Sequence, residues 1–147
     1  MSLDKVFDIA GSGISAQSLR LNTVASNIAN AETVSSSIDQ TYRARNPVFA
    51  TIFSAEQGAG ASLFSDQQQV GEGVQVLGVV ESGAELEPRY EPDHPMANED
   101  GYVFYPNVNV VEEMANMMSA SRSYQTNVEV MNTAKTTVTH NNKRISC

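Results

Sequence analysis

Residues 3–31 read LDKVFDIAGSGISAQSLRLNTVASNIANA, and the spacing of their apolar and small side chains predicts a long helix. These side chains recur alternately four and three positions apart, which is the heptad seam of a helix that packs lengthwise on another. The seam comprises Leu3, Phe7, Ala10, Ile14, Gln17, Leu21, Val24, Ile28 and Ala31. We expect the helix to begin near Leu3, with Ser2 as its N-cap and Asp4 in the first turn, where a carboxylate complements the helix dipole.

Two glycines, Gly11 and Gly13, lie inside this predicted helix. Each costs about 1 kcal/mol relative to alanine in a helix interior, so the helix is not optimised to stand alone. With the small residues around them, they form a smooth surface on which another backbone can approach closely. A kink at the glycines is the alternative interpretation.

The last third of the chain carries a second heptad seam. Its members are Val110, Met114, Met117, Ser121, Tyr124, Val128, Met131, Lys135 and Val138. Asn109 is a predicted N-cap, with Glu112 three residues later in the reciprocal arrangement that satisfies first-turn amide groups. The apolar spacing stops at Val138, and residues 136–147 (TTVTHNNKRISC) are therefore expected to end in a polar tail.

The residues between the two seams are predicted to form a small β element with linkers and a loop. In chain order we expect a linker at 32–42, extended chain at 42–53, a mobile loop at 54–73, a strand at 74–81, a turn at 98–101 and an aromatic strand at 102–105. Pro47 favours an edge strand, and Gly78 marks a bulge or twist point. Pro88, Pro92 and Pro95 predict extended but irregular chain.

The predicted fold is α+β: long N- and C-terminal α-helices form a coiled-coil-like layer, with a small β-hairpin or strand insert and a mobile loop between them. We place the N-terminal helix at 1–33, the linker, loop and β element at 34–106, and the C-terminal helix with its polar tail at 107–147. Polar Gln17 and Ser121 and small Ala10 and Ala31 make the seams too weak for a closed dimer zipper. Additional helical partners are implied.

The composition excludes several classes of function. A net charge of −8, from 17 acidic and 9 basic residues, argues against a nucleic-acid partner. The only cysteine is the last residue, Cys147, so neither an intrachain disulfide nor a cysteine cluster can form. No run of about 20 apolar residues is present, and no cleavable signal is recognisable, so we expect no membrane insertion. The acidic stretch from Glu72 to Asp100 is interpreted as a solvated face.

No set of residues predicts a catalytic, cofactor-binding or metal site. Residues 11–13 (GSG) are not followed by the Lys-Ser/Thr of a phosphate-binding loop. Residues 13–17 (GISAQ) lack the second glycine of a nucleophile elbow. Asp93 and His94 near Glu91 are flanked by prolines, which favours a solvated loop over a metal site. We therefore expect no enzyme, no cofactor and no metal.

Asparagines and methionines are frequent in the two predicted helices. The asparagines can form interhelical hydrogen bonds that set the register, or point to solvent, and we expect both at different positions. They are Asn22, Asn27, Asn30, Asn116, Asn127 and Asn132. The methionines favour a core or subunit interface over an adaptable binding groove. They are Met114, Met117, Met118 and Met131.

The motif RLNTVASNIANA at residues 20–31 resembles the N-terminal motif shared by flagellar axial proteins of the rod, hook and related families. Residues 101–103 (GYV), 106–108 (PNV) and 119–127 (SASRSYQTN) look like the C-terminal signature of the proximal rod branch of that family. The match is strong at both ends of the chain and looser from about Ser54 to Gly73. The family usually continues its C-terminal helix with apolar residues, whereas this chain ends in polar ones.

The resemblance implies a structural subunit of the bacterial flagellar basal-body rod, which spans the periplasm as torque-transmitting drive shaft and export tube. Its terminal helices are expected to form the inner layer of a tube, with the β part facing outward. Expected partners are copies of itself, other rod subunits, ring or adaptor proteins of the basal body and, during secretion, the flagellar type III export apparatus. A soluble coiled-coil adaptor or secretion chaperone is the alternative.

Ten side chains are expected to contact other subunits, because their helical spacing places them on the two seams. They are Leu21, Val24, Asn27, Ile28 and Asn30 on the first helix and Met114, Met117, Ser121, Tyr124 and Val128 on the second.

Overall fold

The computed structural model describes residues 3–53 and 71–145 of the chain. In chain order these form α1 (Leu3–Asn30), a short 3₁₀ helix (Ile38–Gln40), β1 (Arg45–Phe53), β2 (Gly71–Glu81), β3 (Glu87–Tyr90), β4 (Tyr102–Tyr105) and α2 (Val110–Ile145). Two long terminal helices therefore enclose small antiparallel strand pairs, and the predicted α+β class is confirmed. The expected N-cap Ser2 and residues 54–70 of the expected loop lie outside the described residues.

The two helices pack against each other in opposite directions. The Asn27 Nδ2 atom donates to Glu113 Oε2 at 3.1 Å, near the end of α1 and the start of α2. A Cβ atom added to Gly13, earlier in α1, would lie 2.8 Å from Asn127 Nδ2, later in α2. Lower numbers on α1 thus meet higher numbers on α2, which defines an antiparallel pair. α1 is continuous through both glycines, and Gly13 permits the close approach that its small size predicted.

Burial shows which columns of each helix face inward. On α2 the buried positions are Glu113, Ala120 and Ala134, each one residue before a predicted seam residue. Within the chain, Met114, Ser121 and Lys135 of the predicted α2 seam are exposed or half-buried, one residue after the buried column. Each helix carries small or apolar residues in three adjacent columns, and periodicity alone does not say which two columns meet the partner helix.

Asn109 caps α2 as predicted, since its Oδ1 atom accepts from the backbone N–H groups of Val111 at 3.1 Å and Glu112 at 3.3 Å. The helix does not stop at Val138 but continues to Ile145, so the polar tail is helical to that point. Threonine hydroxyls in this region bond to the preceding turn, as Thr139 Oγ1 does to the Lys135 carbonyl at 3.3 Å. At 36 residues, α2 is about 54 Å long.

The first strand pair is an antiparallel ribbon of β1 and β2, which we call the long ribbon. Its register shifts between Val48 and Phe49, which face Gly78 and Val76, so Leu77 is the extra residue of a bulge beside the predicted glycine. β2 begins at Gly71, three residues before the predicted start. A two-stranded sheet consists of edge strands only, which agrees with a proline at position 47.

The second ribbon pairs β3 with β4. Pro88 lies within β3 opposite Phe104, where irregular chain was expected, because an edge strand tolerates a missing N–H group. The predicted turn before β4 is confirmed: Asn98 Oδ1 accepts from the N–H of Tyr102 at 2.8 Å, and Gly101 has φ +80°.

The long ribbon lies along α1. Ser12 Oγ accepts from the N–H of Val74 at 3.1 Å, and Lys5 Nζ lies 3.2 Å from Glu72 Oε1. Gly73 has φ +146°, and a Cβ there would lie 2.6 Å from Ser12 Oγ, so a larger residue would be strained and would displace the Ser12 hydroxyl. The ribbon is therefore held against one flank of the helix pair.

Candidate assembly interface

The predicted interface residues of α1 fall into two groups. Val24 and Asn27 are 4% and 0% exposed, so their surfaces are already occupied within the chain. Leu21, Ile28 and Asn30 are half-buried and keep part of their surface open. Contact of all five with other subunits stays a prediction.

The predicted residues of α2 are all at least partly open. Met114 is 52% exposed. Met117, Ser121, Tyr124 and Val128 are half-buried. The half-buried state leaves these side chains with surface for a further contact.

The open residues of α1 form one stripe. Phe7, Ile14, Leu21 and Ile28 stand seven residues apart and are all half-buried. Residues spaced by seven share one face of a helix in a coiled-coil pair. This stripe therefore runs the length of α1 beside the column of Ala10, Val24 and Ala31 that is buried in the chain.

The corresponding stripe on α2 consists of Met114, Ser121 and Val128. Each stripe lies one residue after a column of residues that faces the other helix. That column contains Gly13 and Asn27 on α1, and Glu113 and Ala120 on α2. Two antiparallel helices are related by a local two-fold axis that is normal to the plane containing both helices. Rotation about this axis keeps equivalent columns of the two helices on the same side of that plane. Both stripes therefore border one face of the pair, which we call the open groove: Phe7, Ile14, Leu21, Ile28, Met114, Ser121 and Val128.

The long ribbon occupies the other flank. Ser12, which bonds to β2, and the buried Ala16 and Thr23 lie on the side of α1 away from the open groove. α1 thus has one flank covered by the long ribbon and another lined with half-buried apolar side chains.

Asn27 joins the helix pair to the long ribbon. Its Oδ1 atom accepts from Tyr42 Oη at 2.8 Å and from the Arg45 N–H at 2.9 Å. Its Nδ2 atom donates to the Arg45 carbonyl at 2.8 Å and to Glu113 Oε2 at 3.1 Å. All four hydrogen-bonding positions of this buried amide are filled. Sequence analysis missed Tyr42, Arg45 and Glu113, since their spacing carries no signal for this contact.

The other helical asparagines divide as expected between interhelical and solvent positions. Asn116 Oδ1 accepts from Arg20 Nη2 at 3.2 Å, and Asn127 packs against Gly13. Asn22 and Asn132 are exposed.

The described residues contain no group of three His, Cys, Asp or Glu side chains placed to hold a metal ion. His94 Nδ1 accepts from the Met96 N–H at 3.0 Å and so closes a turn.

The pKa of Arg89 is raised, first by its hydrogen bond to Glu87, and its guanidinium lies 4.3 Å from the Tyr105 ring centroid. Within the described ranges, no helix is both long and apolar enough to cross a membrane.

Family models match both ends of the chain. The model described as "Flagella basal body rod protein" matches residues 7–34, most of α1. The model described as "Flagellar basal body rod FlgEFG protein C-terminal" matches residues 99–138, which include β4 and most of α2. The two helices that border the open groove thus carry the sequence features of a flagellar basal-body rod protein.

Curated relatives extend the similarity over nearly the whole chain. The flagellar basal-body rod protein FlgC of Salmonella typhimurium is 49% identical over 135 residues, 92% of each chain. FlgC of Escherichia coli O6:H1 is 50% identical over the same share of both chains, and FlgC of Borreliella burgdorferi is 35% identical over 92% of both. The chain belongs to the FlgC family.

Family membership identifies the chain as a structural subunit of the flagellar basal-body rod and places it there. Its relatives are structural rod proteins, and the adaptor or chaperone alternative is not favoured.

Proposed function

We propose that the chain builds the rod by accepting helices of neighbouring axial subunits in the open groove. The observation that carries the proposal is the pair of half-exposed stripes on one side of the helices, with the long ribbon on the other. Helices docked on that side form a continuous inner layer, while the ribbons face outward. In this arrangement residues 1–33 and 107–147 belong to the layer and 34–106 to the outer part.

The exposed surface supports an assembling subunit. The chain exposes 10617 Å², whereas a compact monomer of 15.9 kDa exposes about 7,400 Å². A thin pair of helices with two-stranded ribbons cannot enclose a large core. The surplus surface is available for contacts with other subunits.

The partners in this proposal are copies of the chain and other rod subunits, with ring or adaptor proteins at the ends of the rod. Secretion through the flagellar type III export apparatus brings the chain to the growing rod. The subunit transmits torque and lines the export tube without catalysing a reaction.

The test replaces Ile28, the last α1 residue of the open groove, with aspartate. A carboxylate in a packed, largely dry interface costs several kcal/mol unless a cation pairs with it. We expect Ile28→Asp protein to be made and exported, but to be absent from purified basal bodies, and the cells to lack filaments. Immunoblots of basal bodies and motility assays measure both outcomes.

The matched control is Ala29→Asp. Ala29 is the next residue on the same helix, is exposed and lies off both stripes. Cells with Ala29→Asp should swim. Normal swimming with wild-type amounts of Ile28→Asp protein in the basal bodies would show that the open groove is not an interface.

A further inference from the structure

We propose that Asn27 is a positioning residue: its amide fixes the start of the long ribbon against both helices and so sets the direction in which the ribbon leaves the helix pair. The importance of that direction for the rod rests on the proposed function. The positioning itself is a property of the single chain.

An asparagine side chain suits this task because it carries one acceptor and one donor group side by side. Asn27 pairs with both the N–H and the carbonyl of Arg45, at 2.9 and 2.8 Å, as a neighbouring strand would. Aspartate has no donor for the carbonyl, and leucine, of similar shape, has neither group. Only an amide at this position can pair with both the N–H and the carbonyl of Arg45, the first residue of β1.

The same amide reaches the start of α2. Its second N–H donates to Glu113, a carboxylate that is itself buried, while Tyr42 donates to Oδ1 from the linker. The register of the helix pair and the origin of the ribbon are therefore set at one point.

The ribbon has further polar attachments. Toward its far end Ser12 accepts from Val74 and Lys5 pairs with Glu72, and at its base Asn107 accepts from the N–H of Ala44. Ser12 and Asn27 are fifteen residues apart on α1, or about 22 Å. Attachments at both places fix the orientation of the ribbon, and loss of the bonds at Asn27 weakens its hold at the base. Loss of the bonds between Asn27 and Arg45 should thus move the base of the ribbon, whereas loss of the bond to Glu113 acts on the helix pair.

Distances between pairs of spin labels test the inference in the purified full chain with Cys147→Ser. Exposed Ser18 on α1 and exposed Val80, which pairs with Asn46 at the base of the ribbon, report the ribbon position. Ser18 and exposed Ala115 on α2 report the helix pair. We expect Asn27→Asp to shift and broaden the ribbon distance. Asn30→Asp is the matched control, because Asn30 Nδ2 bonds only to Ser26 of its own helix, at 2.8 Å, and should leave both distances unchanged.

Two further variants separate positioning from general support. Asn27→Asp with Glu113→Gln restores a donor to the α1–α2 contact but not to the Arg45 carbonyl, so the helix distance should return to the wild-type value while the ribbon stays displaced. Arg45→Pro removes the N–H that Asn27 accepts without changing either helix, and should displace the ribbon. Arg45→Ala keeps that N–H and should not.

The inference is overturned by an unchanged ribbon distance in both Asn27→Asp and Arg45→Pro, or by an equal response to Asn30→Asp. A ribbon restored by the Glu113→Gln partner would also overturn it. These measurements use the unassembled chain, so their outcome is independent of whether the open groove binds neighbouring subunits.

Discussion

Gly11 and Gly13 stand two residues apart in α1 and differ in what faces them. A Cβ on Gly11 would lie 3.8 Å from Met131 Cε, an ordinary van der Waals contact. A Cβ on Gly13 would lie 2.8, 3.1 and 3.2 Å from the three end atoms of the Asn127 amide, so that group must move. A side chain at position 13 would therefore displace the Asn127 amide, whereas one at position 11 would fit.

We expect Gly11→Ala to raise the free energy of unfolding by up to about 1 kcal/mol, since alanine is the better helix former. Gly13→Ala should gain less or lose stability, because the displaced Asn127 side chain offsets the improved helix propensity. Urea unfolding of the two purified variants measures the difference. Equal stabilisation by both would show that α2 does not approach α1 closely at Gly13.

At the scale of elements, α2 is longer than the helix it packs against. Leu3 of α1 borders the same groove as Thr137 of α2. The turns of α2 from Val138 to Ile145 therefore extend past the described part of α1. Val138, Thr139 and His140 are exposed, so the helix continues through these residues by its hydrogen-bond ladder and not by burial against α1.

Deletion of residues 139–147 should change the free energy of unfolding of the isolated chain by no more than about 0.5 kcal/mol, the usual range for sites without packed contacts. Deletion from Met131 onward is the control, since it also removes buried Ala134 and should destabilise the chain clearly. We also expect the shorter deletion to leave motility near normal. A truncated protein that is exported but gives non-motile cells would indicate an essential contact of the tail in the rod.

At the scale of the whole molecule, the helix pair makes the chain long and thin. A compact protein of 147 residues has a radius of gyration of about 15 Å. The length of α2 alone, about 54 Å for 36 residues, is incompatible with so compact a shape.

Small-angle X-ray scattering of the unassembled chain should therefore give a radius of gyration clearly above 15 Å and a maximum dimension above the length of α2. A dilution series is the control, because association would also increase both values. A concentration-independent radius near that of a compact domain would contradict the extended pair.

The types of the main elements follow from local chemistry that can be read along the chain. The period of small and apolar residues placed both helices, the side chain of Asn109 marked the start of α2, and the residues from Asn98 to Gly101 marked a turn. Each of these signals acts within one helical turn or one β-turn, so the residues that carry it are neighbours in the sequence. The motif at residues 20–31 likewise indicated the protein family.

Contacts between distant parts of the folded chain select which columns of the helices meet. Glu113, Ala120 and Ala134 face α1 because the close approach at Gly13 and the amide of Asn27 select one of several seams that the same sequence allows. The contact of Asn27 with Arg45 joins residues that no local period relates. Column phase and ribbon direction depend on side chains far apart in the chain, and for that reason the open groove and its covered opposite flank emerge only when the chain is folded.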